Sequence, residues 1–223
     1  MLEGIKAVAF DIDGTLYPSW RLYIRMGGYF FKNLFFYRKF NKVRGRLHRT
    51  APLPDFFEYQ SILLAEETGL SVKDAKQKIR DICYDGLMPY LKNVKPFRNM
   101  YESILALKNA GLKIAILSDF PPEQKGDIWG VKNLCDVCIG SEESGALKPS
   151  IYPFGILAKK LELSPHEILY VGNSIKYDIL GAKHAGMKAA YIITGLRRIF
   201  SIPCKHADFS FKTYRKLTQI VLQ

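Results

Sequence analysis

Cysteine, tryptophan and uninterrupted apolar runs are all scarce in this chain. Its 223 residues include four cysteines and two tryptophans. Such a sparse set of cysteines, with no secretory signal, leads us to expect reduced thiols and a cytoplasmic location. The most apolar stretch, residues 22–40, is interrupted by four basic side chains, a density of charge that hydrocarbon does not tolerate. The sequence therefore predicts no membrane-spanning helix.

Acidic residues are absent between Arg21 and Arg49, where nine basic residues occur. Residues 17–95 carry fifteen Lys or Arg against seven Asp or Glu, so they hold a net +8 of the chain's total of +12. An imbalance of this kind indicates what the segment can bind, and it does not indicate which fold the chain adopts. The sequence also lacks internal repeats and low-complexity segments, so we expect a globular α/β protein.

The most informative segment is Val8–Leu16, in which an apolar, strand-forming run ends in Asp11 and Asp13, followed by Gly14 and Thr15. Residues two apart on a strand point the same way, so the two carboxylates can converge on one small volume. Like charges held this close repel one another unless a cation or a proton lies between them. Mg²⁺ suits such an all-oxygen site.

Three further polar groups follow predicted strands or precede a predicted helix. They are Ser118-Asp119, Lys148 in Ala146-Leu147-Lys148-Pro149, and Asn173 with Asp178. The carboxyl ends of parallel strands meet at one edge of a sheet, where open α/β sheets bind their ligands. Carboxylates, a hydroxyl and a lysine gathered there suit phosphoryl transfer, which depends on positioning and charge neutralisation.

The order of elements predicts a Rossmann-like, doubly wound parallel sheet. Strand and helix patterns alternate after residue 96, whereas residues 17–95 show only helical spacing. We therefore expect a catalytic core formed by 1–16 and 96–223, with an inserted all-α cap over 17–95.

At these motifs the chain closely resembles the haloacid dehalogenase-like superfamily, in its phosphatase-type form with a helical cap between the first and second motifs. The resemblance covers four motifs in order and includes the run Asp178–Met187. It implies a Mg²⁺-dependent hydrolase of a small phosphorylated metabolite, working through an aspartyl-phosphate.

The resemblance also implies a role for each motif residue. Asp11 would be the nucleophile, Asp13 the general acid and base, and Lys148 the neutralising cation. Substrate-binding residues would be Gly14, Thr15, Ser118 and Asp119; metal-binding residues would be Asp11, Asp13, Asn173 and Asp178. The family usually has Asp where this chain has Asn173, so we expect weaker metal binding and a larger part for Asp178.

Several alternatives stay open at this point. The same motifs serve phosphomutases and haloacid dehalogenases, although Asp13 argues against the latter. A weakly active member could instead bind nucleic acid or a membrane through basic residues 21–49, whose aromatic side chains could equally form ordinary core. Cys135, Cys138, Cys204 and His206 could notionally bind zinc, but their spacing fits reduced residues near strands better.

Overall fold

The computed structural model describes residues 1–223 and centres on a six-stranded, entirely parallel sheet. The strands are β1 (Ala7–Phe10), β2 (Lys113–Ser118), β3 (Val137–Gly140), β4 (Ile168–Gly172), β5 (Lys188–Ile192) and β6 (Phe209–Phe211). Their spatial order is β3-β2-β1-β4-β5-β6. The order reverses between β1 and β4, and open α/β sheets place their ligands at such a switch point.

Ten α-helices surround the sheet or extend from it. They are α1 (Ser19–Lys32), α2 (Leu34–Leu47), α3 (Phe56–Thr68), α4 (Val72–Lys78), α5 (Met88–Leu91), α6 (Met100–Asn109), α7 (Ile151–Leu161), α8 (Leu180–His184), α9 (Gly195–Ile199) and α10 (Tyr214–Leu222). Wider π-type turns cover Ile79–Tyr84 and Ile175–Ile179. Every regular element between β1 and β2 is helical, as the spacing of residues 17–95 predicts.

Local sequence signals explain where several of these helices begin and end. The Asp55 carboxylate accepts a hydrogen bond from the Glu58 N–H at the start of α3, and Gly69 ends that helix with a φ of +74°. Ser71 accepts from the Asp74 N–H at the start of α4, which is the capping pair that the sequence predicts.

The two faces of β1 bury different side chains. Ala7 and Ala9 face the layer formed by α7 and α8, whereas Val8 and Phe10 face α6 and α10. The apolar cluster on the second face continues without interruption into the helical segment, where it includes Phe40 and other side chains of α2 and α3. The sheet and the helical segment therefore share one hydrophobic core.

Both edge strands are fixed to their neighbours in the same way. Asp136, just before β3, bonds to the Ile114 N–H of β2 at 2.8 Å, and Asp208, just before β6, bonds to the Ala189 N–H of β5 at 2.7 Å. Burial acts to raise both pKa values, but hydrogen bonds from these N–H groups and from nearby lysines outweigh it, so both pKa values lie below their usual range.

The structure confirms the predicted α/β class and parallel, Rossmann-like sheet. None of its helices combines the length and apolar character that crossing a membrane requires. The sequence reasoning stopped at a strand ending near Ile193 and missed α9, β6 and α10.

Candidate active site

The motif residues meet at the switch point between β1 and β4. Asp11 follows β1 directly, and its backbone N–H donates to the Val171 carbonyl of β4 at 3.0 Å. Asn173 follows β4, and Lys148 and Asp178 reach the same place from the loop before α7 and the turn before α8. Residues far apart in the sequence are thereby brought to a single edge of the sheet.

Lys148 lies at the centre of this group and is completely enclosed. Its Nζ lies 2.8 Å from Oδ1 of Asp11 and 2.7 Å from Oδ1 of Asp178, and it also contacts the Tyr170 hydroxyl at 3.2 Å. Burial alone would lower the pKa of Lys148, but the two carboxylates outweigh it and raise that pKa well above its usual value. Lys148 is therefore a permanent cation between two acids.

Asp11 carries the excess negative charge of the site. Burial raises the pKa of Asp11 to about 7; the Lys148 ammonium group opposes that rise, and the carboxylates of Asp178 and Asp13 add to it. One lysine thus faces two acids in a poorly solvated place. An additional cation beside Asp11 would relieve this imbalance.

Thr15 connects Asp11 with Asn173. Its hydroxyl lies 2.9 Å from Oδ2 of Asp11 and 3.1 Å from Oδ1 of Asn173, so these two oxygens face the same small volume. The backbone N–H of Thr15 is bonded to the Ile12 carbonyl and is not free to face an anion. Gly14 has a φ of +89°, and a Cβ there would lie 2.5 Å from the Asn173 amide nitrogen. Only glycine fits between these two loops.

Asp178 has both carboxylate oxygens occupied by protein donors. Oδ1 accepts from Lys148, while Oδ2 accepts from the backbone N–H groups of Asn173 and Ser174 at 3.1 and 2.9 Å. A Cβ at Gly172 would lie 2.3 Å from the Asp178 Cβ, so the close approach of this loop requires glycine. Asp178 therefore positions Lys148 and the loop after β4, and its predicted part in metal binding stays a prediction.

Asp13 contacts two residues that the motifs do not include. The Tyr17 hydroxyl donates to its Oδ1 at 2.5 Å, and Lys125 Nζ lies 3.0 Å from its Oδ2. The Lys125 side chain is almost completely enclosed, whereas that of Asp13 is 36% exposed. The carboxylate is thus held in one orientation while still reaching solvent.

Ser118 and Asp119 follow β2 and have different surroundings. The Ser118 hydroxyl is buried and has no hydrogen-bond partner. A buried hydroxyl is costly to leave unpaired, so Ser118 has an unused donor at the end of β2. The Asp119 carboxylate accepts a hydrogen bond from the Lys148 N–H at 3.1 Å, and so it holds the lysine loop in place.

A cavity of about 790 Å³ opens beside these residues, between the sheet edge and the helical segment. Asp11, Asp13, Asp119, Lys148 and Asn173 line it, together with side chains of α1, α2 and α5. Its size lies within the range of small-molecule sites in proteins. Six of the nine predicted site residues therefore border a space that a substrate can occupy, whereas Gly14, Thr15 and Ser118 do not line it.

The sequence reasoning missed Tyr17, Lys125 and His48. His48 Nδ1 lies 2.6 Å from the Lys148 carbonyl, so it donates a hydrogen bond there, and its ring stacks on Tyr177. Tyr17 lies four residues after Asp13, a spacing that could have indicated a contact. Lys125 and His48 carry no such local signal, because the tertiary fold alone brings them to the site.

The available donors fit a hard divalent cation. An Asp11 carboxylate oxygen and the Asn173 amide oxygen converge on one hydroxyl, and Asp11 lacks a full counter-charge. Oxygen ligands of this kind suit Mg²⁺. Nowhere in the chain are three or more His, Cys, Asp or Glu side chains grouped to hold a metal ion, and this applies to the acids of the site as well as to Cys135, Cys138, Cys204 and His206.

Comparison with known proteins assigns the chain to a family. The model of the haloacid dehalogenase-like hydrolases matches residues 5–186. The chain belongs to this family. It is therefore a hydrolase, in agreement with the resemblance that the four motifs carry.

Individual relatives agree with the phosphatase-type form of the family. The chain is 30% identical over 128 residues to a phosphoglycolate phosphatase of Mannheimia succiniciproducens, with 56% of this chain and 57% of that protein covered. The chain thus spans little more than half the length of this relative. It is 26% identical over 220 residues to pyrophosphatase PpaX of Halalkalibacterium halodurans, with 97% of both covered.

Solved structures support the fold. A HAD phosphatase from Thermococcus onnurineus superposes with a TM-score of 0.64 at 22% identity, covering 97% of this chain and 98% of that one. This similarity concerns the fold alone.

Proposed function

We propose that this family member hydrolyses phosphomonoesters of small molecules with the help of Mg²⁺, through a covalent aspartyl-phosphate. The observation that carries the proposal is the placement of Asp11: a buried carboxylate at the switch point, 2.8 Å from Lys148 and bordering the cavity beside Asp13. The phosphatase names of the relatives agree with this chemistry.

In the first step a carboxylate oxygen of Asp11 attacks phosphorus, and the bond from phosphorus to the ester oxygen breaks. Asp13, in its protonated form, gives its proton to the departing alkoxide, so the alcohol leaves neutral. The contacts from Tyr17 and Lys125 keep the Asp13 carboxyl oriented for this transfer. Asp11 then carries the phosphoryl group.

In the second step Asp13 removes a proton from a water molecule, which attacks the phosphorus of the aspartyl-phosphate. The bond between phosphorus and the Asp11 oxygen breaks, which releases inorganic phosphate and restores both carboxyl groups. Lys148 neutralises charge on Asp11 and on the transferring group, and the free Ser118 hydroxyl would donate to a phosphoryl oxygen.

Asp11 and Asn173 would hold the metal ion through side-chain oxygens, together with the backbone carbonyl of Asp13. When bound, Mg²⁺ would supply charge stabilisation for the phosphoryl oxygens. Asn173 contributes an amide in place of a carboxylate, so the protein offers one negative charge fewer than the usual family pattern.

The helical segment 17–95 would act as a cap over a core formed by 1–16 and 96–223. Its helices α1, α2 and α5 form one wall of the cavity that contains Asp11. A cap in this position limits the access of bulk water during the reaction and contacts the alcohol part of the substrate.

Replacing the nucleophile tests the proposal. Asp11→Asn keeps the shape of the side chain but removes the nucleophilic carboxylate, so phosphate release in the presence of Mg²⁺ should fall by at least about a thousandfold. Glu66→Gln, which changes an exposed acid on α3, is the matched control and should retain full activity.

The readout is inorganic phosphate released from a panel of phosphomonoesters, with and without Mg²⁺. Turnover by Asp11→Asn at the wild-type rate would refute the mechanism. Isomerised product without phosphate release would identify a mutase instead. Wild-type protein that releases no phosphate from any ester would refute the proposed function.

A further inference from the structure

The part of the cavity wall that the helical segment forms is rich in apolar side chains. Helices α1 and α2 contribute Leu22, Met26, Phe30, Phe31 and Phe40, and α5 contributes Leu91. Burying apolar surface is favourable in proportion to its area, so a wall of this composition favours an apolar ligand. These side chains line the same cavity as Asp11 and Asp13, where the phosphoryl group of a phosphomonoester would bind.

The cavity has no cation available for a second anionic group. Lys148 and Lys125 are the only basic residues that line it. Lys148 is bonded to Asp11 and Asp178, and Lys125 to Asp13. A substrate that carried a carboxylate or a second phosphate would have to bury that charge without a partner, which is costly.

The basic residues of the helical segment do not supply this missing cation. Arg44 is buried outside the cavity lining, where it contacts Glu142 and Gln60. Arg25, Lys32 and Arg38 are exposed and do not line the cavity either. The positive charge of the segment therefore lies on its outer surface.

The size and the rim of the cavity, like its lining, favour a large and apolar ligand. A phosphorylated alcohol of two or three carbons would leave most of the 790 Å³ unfilled, since cavities of this size hold drug-sized molecules. Tyr23 and Phe31 line the cavity and are also 66% and 76% exposed, so its rim presents aromatic surface to solvent.

We propose that the substrate is a phosphomonoester of a large, uncharged and apolar alcohol, whose apolar part lies against α1, α2 and α5. This inference rests on the proposed phosphatase function and adds the substrate class to it. Asp11 takes the phosphoryl group, Asp13 protonates the alcohol oxygen, and the apolar wall binds the rest of the alcohol.

A homologous series of substrates tests the proposal. The value of kcat/KM is measured in Mg²⁺ for methyl, butyl, hexyl and octyl phosphate, with 2-phosphoglycolate as the short anionic comparison. Each methylene group buried against an apolar wall favours binding by up to about fourfold. Octyl phosphate should therefore exceed methyl phosphate by at least about a hundredfold, and 2-phosphoglycolate should be among the poorest substrates.

Two exposed phenylalanines provide matched variants. Phe31→Asp places a charge on the cavity wall and should lower the octyl-to-methyl ratio of kcat/KM by at least about tenfold. Phe35 is 82% exposed and does not line the cavity, so Phe35→Asp should leave that ratio unchanged. Both changes are at the surface and leave the hydrophobic core intact.

The possible outcomes separate this inference from the function on which it rests. A series that is flat, or in which 2-phosphoglycolate is best, would overturn the apolar substrate class while the phosphatase activity stands. Equal effects of the two variants would also overturn it. Failure of every ester to release phosphate would refute the phosphatase proposal itself.

Discussion

At the scale of residues, the role of each site residue depends on the hydrogen bonds that it already makes. Asp178 is fully occupied by Lys148 and two backbone N–H groups, whereas the Ser118 hydroxyl has no partner at all. A fully bonded group fixes geometry, and an unbonded one is ready to meet a ligand. The two residues therefore differ in function although both belong to predicted motifs.

Asn173 offers a direct test of the metal site. Asn173→Asp adds a negative charge beside Asp11, and Mg²⁺ affinity rises with the charge of its oxygen ligands. We expect the variant to bind Mg²⁺ about tenfold more tightly in a calorimetric titration. Asn41→Asp, which adds the same charge elsewhere on the cavity lining, should change the affinity much less. Equal affinities for wild type and Asn173→Asp would show that this position is not a ligand.

The sequence predicted the residues that converge here because they follow parallel strands, whose carboxyl ends share one edge of the sheet. It could not predict the distribution of hydrogen bonds among them. Both oxygens of Asp178 accept hydrogen bonds from protein donors, an arrangement that its motif does not reveal, and its larger part in metal binding stays a prediction. Lys125 was not identified, since no motif contains it.

At the scale of elements, α2 is attached to the core by a buried ion pair. The Arg44 guanidinium contacts Glu142, which lies just after β3, and lies over the Phe120 ring at 4.5 Å. The Tyr84 hydroxyl donates to the other Glu142 oxygen at 2.6 Å. This network holds the helical segment on the sheet beside the cavity, which Phe120 lines.

Removing one partner of this network should destabilise the protein strongly. Arg44→Met leaves the Glu142 carboxylate buried without its cation and should lower the free energy of unfolding by about 3–5 kcal/mol. Arg46, two residues along α2, is half exposed and only 3.9 Å from Glu67, so Arg46→Met should cost less than about 1 kcal/mol. Urea unfolding of both variants measures the difference, and equal losses would contradict this account.

The hydrogen bonds that Asp136 and Asp208 accept at the two edge strands predict a loss of stability in acid. Because the pKa values of Asp136 and Asp208 are lower in the folded protein, their contribution is present at neutral pH and is lost as the pH falls through those folded values. Asp208→Asn should lower the free energy of unfolding by about 1 kcal/mol at pH 7. Urea unfolding at several pH values should show this difference shrinking below about pH 4; a difference that grows in acid would contradict it.

Elements with strong periodicity and end signals were predictable, and those without them were not. The capping residues Gly69 and Ser71 mark the end of α3 and the start of α4. The π-type turn over Ile79–Tyr84 continues the predicted helix with a wider geometry, which apolar spacing does not reveal. The short strand β6, three residues long, carries too few residues for an alternating pattern to identify it.

At the scale of the whole molecule, charge and apolar surface are arranged separately. The excess of basic residues in 17–95 lies on the outer surface, while the cavity beneath is lined by aromatic and aliphatic side chains. From the outer surface, these basic residues can raise the local concentration of an anionic substrate without binding it. Contact of 21–49 with nucleic acid or a membrane stays a prediction.

The aromatic residues of 21–49 divide between two environments. Phe40 is buried in the shared core, as the interpretation of these side chains as ordinary core predicts. Tyr23, Phe31 and Phe35 are exposed, which that interpretation does not explain. Amphipathic spacing in the sequence could not separate the two groups, because the separation depends on where the sheet edge lies.

The apolar cluster that runs from the sheet into α2 and α3 has a consequence for modularity. Since the buried side chains of the helical segment belong to the same cluster as one face of the sheet, that segment has no core of its own, and the protein should melt as one cooperative unit. A chimera that grafted residues 17–95 onto a related scaffold would expose Phe40 and its neighbours to water. Such a chimera would also need the core side chains of this protein against which the helical segment packs.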